Sequence, residues 1–71
     1  MSESVYRVTE VIGASPESWE AAAQNAVETA ARTVRDLRVA EATRFDVTIA
    51  DGKVASYRVR LDISFKYEGG N

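Results

Sequence analysis

The sequence predicts an α+β domain of order β-α-β-β, a three-stranded antiparallel sheet in the order 1-3-2 packed on one helix. Three observations predict it. Residues 54–67 alternate almost perfectly, with Ala55, Tyr57, Val59, Leu61, Ile63, Phe65 and Tyr67 on one side. Val54, Ser56, Arg58, Arg60, Asp62, Ser64 and Lys66 lie on the other, which is the period of two of a strand with one buried face. An alanine-rich stretch from about residue 16 repeats its apolar residues at intervals of three and four, the period of an amphipathic helix. Asp51-Gly52 stands between two strand-like runs and marks a tight hairpin.

The first strand is Val5 to Ile12 (VYRVTEVI), rich in β-branched and aromatic residues. Gly13-Ala14-Ser15-Pro16 stops it. Ser15 is then the expected helix cap and Pro16 suits the first turn, with Glu17 and Glu20 near the positive end of the helix dipole.

The helix is expected from about Pro16 to Arg35 or Leu37. Its apolar stripe is Trp19, Ala22, Ala23, Ala26, Val27, Ala30, Val34 and Leu37. Glu28 and Arg32, four apart, form a pair worth a few tenths of a kcal/mol. A stripe of alanines lies close to its partner but supplies a thin core, at roughly 25 cal/mol per Å². Trp19, within the stripe, reads first as a core residue and second as a platform for stacking a ligand.

The second strand is Val39 to Ala50, with Phe45, Val47 and Ile49 on one face and Ala40, Ala42, Arg44, Asp46 and Thr48 on the other. Glu68-Gly69-Gly70-Asn71 is a loose tail. A helix between strands one and two lets both run the same way, and the hairpin makes strand three antiparallel to them. The long third strand suits the central place. The right-handed crossover puts the helix on one face, and the other face is left for solvent or for neighbours.

Seventy-one residues make a single domain, whose core alone gives marginal stability. The chain has neither cysteine nor histidine. Disulfides, thiolate and imidazole metal sites and histidine acid–base chemistry are therefore excluded. Self-association remains as the stabilising aid. Nine basic and eleven acidic residues give a net charge of -2, which argues against a general nucleic-acid binder. The polar, acidic start Met1-Ser2-Glu3-Ser4 and the lack of a long apolar run lead us to expect a cytoplasmic protein with no membrane partner.

Catalysis is not expected. The serines have no histidine base, and Glu41, Asp46 and Asp62 read as solvated or paired carboxylates. Gly13 alone makes no phosphate loop. Arg44, Arg58, Arg60 and Lys66 are candidates for a cationic strip that holds a phosphate or a planar anionic ring. The competing reading is a solvated face, or ion pairs with Asp46 and Asp62.

The whole chain resembles the dodecins. The matching pieces are Val5-Tyr6-Arg7-Val8, Ile12 to Trp19, the alanine-rich helix, Val39-Ala40-Glu41-Ala42, Asp51-Gly52, Tyr57-Arg58-Val59 and Ser64-Phe65-Lys66-Tyr67. They span residues 4 to 68. The resemblance implies a hollow homododecamer that binds flavin (riboflavin or FMN) in pairs between subunits. Its implied role is non-enzymatic, the storage of flavin and the quenching of its photochemistry. Members also bind metal ions.

Flavin-binding dodecins stack the ring on a tryptophan at the start of the second strand and contact it with a glutamine in the third. The matching positions here hold Val39, before Ala40 and Glu41, and Arg58, after Tyr57. Val39, Arg58 and Arg44 are thus the candidate flavin-binding residues, and weakened binding is expected. Ser15 to Glu20 and Leu37-Arg38-Val39-Ala40 are similar to the branch called calcium dodecins, which lacks that tryptophan. The alternative is therefore a flavin-free shell, calcium-binding or structural, with Arg58 bridged to a neighbouring subunit's carboxylate. No metal ligands are assigned.

Overall fold

The structure is a computed structural model and describes residues 4–66. The elements are β1 (Tyr6–Ser15), α1 (Trp19–Ala30), β2 (Leu37–Ala50) and β3 (Lys53–Lys66). The sheet order is β1-β3-β2, with β3 central and antiparallel to both neighbours. The expected topology is thus found. Tyr67, the expected end of the third strand, lies outside the described residues, as do the tail from Glu68 and the first three residues.

β1 runs three residues past its expected end. Gly13 belongs to the strand, opposite Val59, because the helix crosses closely over it. A Cβ on Gly13 would strike the backbone carbonyl of Ala22 and lie 2.9 Å from the Cβ of Ala26. The glycine admits the alanine face of the helix rather than stopping the strand.

The helix is shorter than its periodicity suggests, and its cap is Ser18, not Ser15. Ser18 has extended dihedrals, φ -169 and ψ 165, and its hydroxyl accepts the Ala21 N–H at 3.0 Å. Ser15 is buried at the end of β1, where its hydroxyl accepts the Glu17 N–H at 3.0 Å. Pro16 and Glu17 therefore precede the helix. At the other end the N–H groups of Arg32 and Thr33 turn to the carbonyls of Thr29 and Ala30, three residues back, which tightens and ends the helix. Asp36 then takes a positive φ of 61 and directs the chain into β2. Val34 and Leu37 keep the helical spacing but lie outside the helix. Arg32 does too, and Glu28 accepts from Gln24 at 3.2 Å instead of pairing with Arg32.

The core is Ala22 and Ala26 of α1 against Val59, Leu61 and Ile63 of β3, flanked by Val11, Ala23, Val27, Ala30 and Leu37. The alternation of β3 is realised as a buried face toward the helix. The hairpin turn has positive φ at both Asp51 (54) and Gly52 (74), a type I′ turn that matches the strand twist.

β2 departs from strict alternation. Ala42 pairs with Leu61 but Arg44 pairs with Arg60, so Thr43 is an extra residue in a bulge. Before the bulge, Ala40 and Ala42 face the helix, opposite Ile63 and Leu61; after it, Phe45 and Val47 do so, opposite Val59 and Tyr57. The expected grouping of Ala40 and Ala42 with Arg44, Asp46 and Thr48 is thus corrected. A second shift between Thr48 and Ile49 places Ile49 opposite Val54, away from Phe45 and Val47.

Twelve helical residues span about 18 Å. The two fourteen-residue strands span about 46 Å at roughly 3.3 Å per residue. The helix therefore covers less than half the length of the hairpin, and the long axis of the molecule reaches 55 Å.

Candidate functional site

The sheet face turned away from the helix collects the charged residues. The register sets them in rows across the three strands. Ala14, Arg58 and Asp46 form one row, followed by Ile12, Arg60 and Arg44, then Glu10, Asp62 and Glu41, then Val8, Ser64 and Val39. The Thr43 bulge produces this arrangement, since it returns Arg44 and Asp46 to the same face as Glu41 and Val39.

Arg58 is held by two parallel bonds to Asp46, Nε to Oδ1 at 2.8 Å and Nη2 to Oδ2 at 2.9 Å. The planar fork of a guanidinium matches a carboxylate in this way. That hydrogen bonding holds the Asp46 carboxyl below its ordinary range, with further help from the charges of Arg58, Arg60 and Arg44 against an opposing desolvation. In return Asp46 raises the Arg58 guanidinium above its ordinary value. The carboxylate is on the adjacent strand of the same chain, so the expected cross-strand ion pair of Arg58 with Asp46 is found.

The cationic strip is only partly assembled. Arg60 leans to Glu10 across β1 at 3.5 Å, not to Asp62. Arg44 stands directly opposite Arg60, a like-charge pair that is unfavourable across strands, and makes no salt bridge among the described residues. Lys66 is separated from Arg60 by Asp62 and Ser64 along β3.

Val39 lies exposed on the same face, 61% accessible, with its carbonyl accepting the Ser64 hydroxyl at 3.3 Å. The structure does not bring Val39 and Arg58 together within one chain. Val39 pairs with Ser64, and the six residues of β3 from there to Arg58 span about 20 Å. Arg44 is near Arg58, one row away. A small ligand on one chain therefore does not touch both Val39 and Arg58.

On the helix side, Trp19 meets Tyr57 edge-on at 5.1 Å and Phe45 at 5.9 Å. Its indole N–H donates to the Asp46 carbonyl at 3.2 Å. It is 38% exposed, so it closes the rim of the core instead of lying within it. Beside it a groove of about 290 Å³ is lined by Trp19, Glu20, Ala23, Ala42, Phe45 and Val59. Among the described residues, no three His, Cys, Asp or Glu side chains are placed to hold a metal ion, and no helix is long and apolar enough to cross a membrane.

The sequence reading missed the Thr43 bulge, the Glu10–Arg60 pair and the hold of Trp19 on Asp46. Only the bulge had a signal in the chain: the helix-facing apolar residues at 40 and 42 resume at 45 and 47, a step of three that breaks the period of two.

The chain was compared with known proteins. It is 44% identical over 63 residues to a calcium dodecin of Mycobacterium tuberculosis, covering 89% of each chain. It is 38% identical over 64 residues to a dodecin of Thermus thermophilus, covering 90% of this chain and 93% of that one. The solved dodecin of Streptomyces coelicolor superposes with a TM-score of 0.92 at 43% identity, over 99% of this chain and all of the other. The family model Dodecin matches residues 5–68. With fold, register and sequence agreeing over nearly its full length, the chain belongs to the dodecin family.

Proposed function

We propose that the chain assembles into a hollow dodecamer and retains small ligands, without catalysis, at contacts between copies, with flavin as a weakly held ligand. The observation that carries the reading is the outer face itself. Its two positions matched to flavin contacts are about 20 Å apart in one chain on the strand spacing, so they converge only between copies. Assembly is supported by the uncovered length of the hairpin and by the exposure of Val8, Val39, Ile49 and Val54, apolar surface that a monomer leaves in water.

The fit to flavin is poorer than a tryptophan and a glutamine would give. Val39 supplies no ring, and a stacked aromatic pair is worth on the order of 1 kcal/mol beyond area burial. Two of the five N–H donors of Arg58, on Nε and Nη2, are taken by Asp46. Arg44, which makes no salt bridge among the described residues, is available to meet a ligand's negative group. Retention rather than turnover suits a site whose charged groups Arg58, Asp46, Arg60 and Glu10 are tied in ion pairs.

A riboflavin fluorescence-quenching titration tests this. Saturable quenching in the high-micromolar range of protein supports it, and no quenching there removes flavin from the reading.

A second reading is a flavin-free shell that binds calcium or is purely structural. It is favoured by the relative from Mycobacterium tuberculosis, solved as a calcium-chelating protein with a calcium-binding site. A calcium ion takes six to eight oxygens, so it would draw ligands from more than one copy. Calcium titration by calorimetry separates the two readings.

A further inference from the structure

We propose that Asp46 sets the ligand preference of this face, standing in for a ligand's anion by clamping Arg58 with its own carboxylate. The inference rests on the ligand-binding reading above and names the residue that controls it.

Two rows of the face hold Ala14, Arg58, Asp46, Ile12, Arg60 and Arg44. Asp46 is the one carboxylate among three guanidiniums. It takes Arg58 through both oxygens, and that hydrogen bonding, helped by the charges of the three arginines, lowers its pKa. Arg60 is drawn the other way, toward Glu10. The position that a phosphate or carboxylate would occupy between Arg58 and Arg44 is therefore already filled by negative charge.

The clamp is also anchored from behind. The Trp19 indole N–H holds the Asp46 carbonyl from the helix side, while its side chain reaches the opposite face. An incoming anion must break two charge-assisted bonds to claim the Nε and Nη2 donors that Arg58 gives to Asp46. A neutral ring has no such competition to win. The chain as it stands thus disfavours the phosphate of a nucleotide-like ligand relative to a ligand without one.

The test compares FMN with riboflavin, which differ by the phosphate, in fluorescence titrations of the assembled protein. The variants are Asp46→Asn, Asp46→Ser and the double variant Asp46→Asn/Arg58→Gln, each with its assembly mass checked. Asp46→Asn is expected to tighten FMN binding about tenfold over the parent, the worth of one bond to a charged group. Riboflavin is expected to change by less than about twofold. Asp46→Ser should act in the same direction, and the double variant should return to the parent's ratio.

If FMN and riboflavin affinities move together, or neither moves, the proposal is overturned. A Val39→Trp/Arg58→Gln variant then tells which reading failed. Flavin binding by that variant leaves the ligand site standing and removes only the role of Asp46. No flavin binding by it removes the site and the proposal with it.

Discussion

The indole N–H of Trp19 donates to the backbone carbonyl of Asp46 at 3.2 Å, from the first turn of the helix to the edge strand. The same Asp46 turns its carboxylate to Arg58 on the far face of the sheet. One residue thus links the aromatic rim of the core to the charged face. Trp19→Phe keeps the packing against Tyr57 and Phe45 but removes the donor. We expect a loss of about 0.5–1 kcal/mol, the net value of one ordinary hydrogen bond, read by urea unfolding. Stability equal to the parent's would mean that the bond is not made in solution.

Gly13 tests how closely the helix lies on the sheet. Gly13→Ala puts a methyl group into the Ala22 carbonyl and the Ala26 side chain. Since the obstacle is helix backbone, the helix must move. The expected cost is about 1–3 kcal/mol, the range for overpacking. A thermal midpoint unchanged by the substitution would contradict the observed crossing.

The two serines before the helix separate by role. Ser18→Ala removes the cap on the Ala21 N–H and should cost about 1 kcal/mol with reduced helical circular dichroism. Ser15→Ala removes a bond to Glu17, outside the helix, and should leave the helical signal intact. The reverse pattern would restore Ser15 as the cap.

Acid should weaken the Arg58–Asp46 bridge. Hydrogen bonding to Arg58 lowers the Asp46 carboxyl below its ordinary value of 3.8, so the folded protein gives up this proton at lower pH than the unfolded chain. The contribution is complete above the ordinary value and is lost as pH falls through the lower, folded one. Thermal unfolding followed down to about pH 2 should show a steeper decline for the parent than for Asp46→Asn, in which the linked proton is gone. Parallel curves would show that the bridge adds nothing to stability.

The legible parts of this fold are those that a local period dictates. The alternation of β3 marked Val59, Leu61 and Ile63 for the core, and Asp51-Gly52 marked the turn; both hold in the structure. What escaped depended on contacts between elements. Val34 and Leu37 keep helical spacing, yet the chain turns at Asp36 to start β2. Pro16 directs attention to Ser15 as the cap, whereas the three residues between Ser15 and the helix give that place to Ser18.

The site was legible in kind but not in arrangement. Arg44, Arg58 and Asp46 were visible as charged strand residues, and Asp46 was among the partners considered for the arginines. The distance between Val39 and Arg58 required the register. The face on which Arg44 and Asp46 join Glu41 and Val39 required the Thr43 bulge.

Native mass spectrometry of the purified chain, with and without riboflavin, FMN and calcium, tests the central claim most directly. The account predicts the mass of a dodecamer of the 7.8 kDa chain, taking up flavin only at high ligand concentration. A monomer that ignores all three ligands would contradict it, because the uncovered sheet face would then have no neighbour and the two candidate contacts no place to meet.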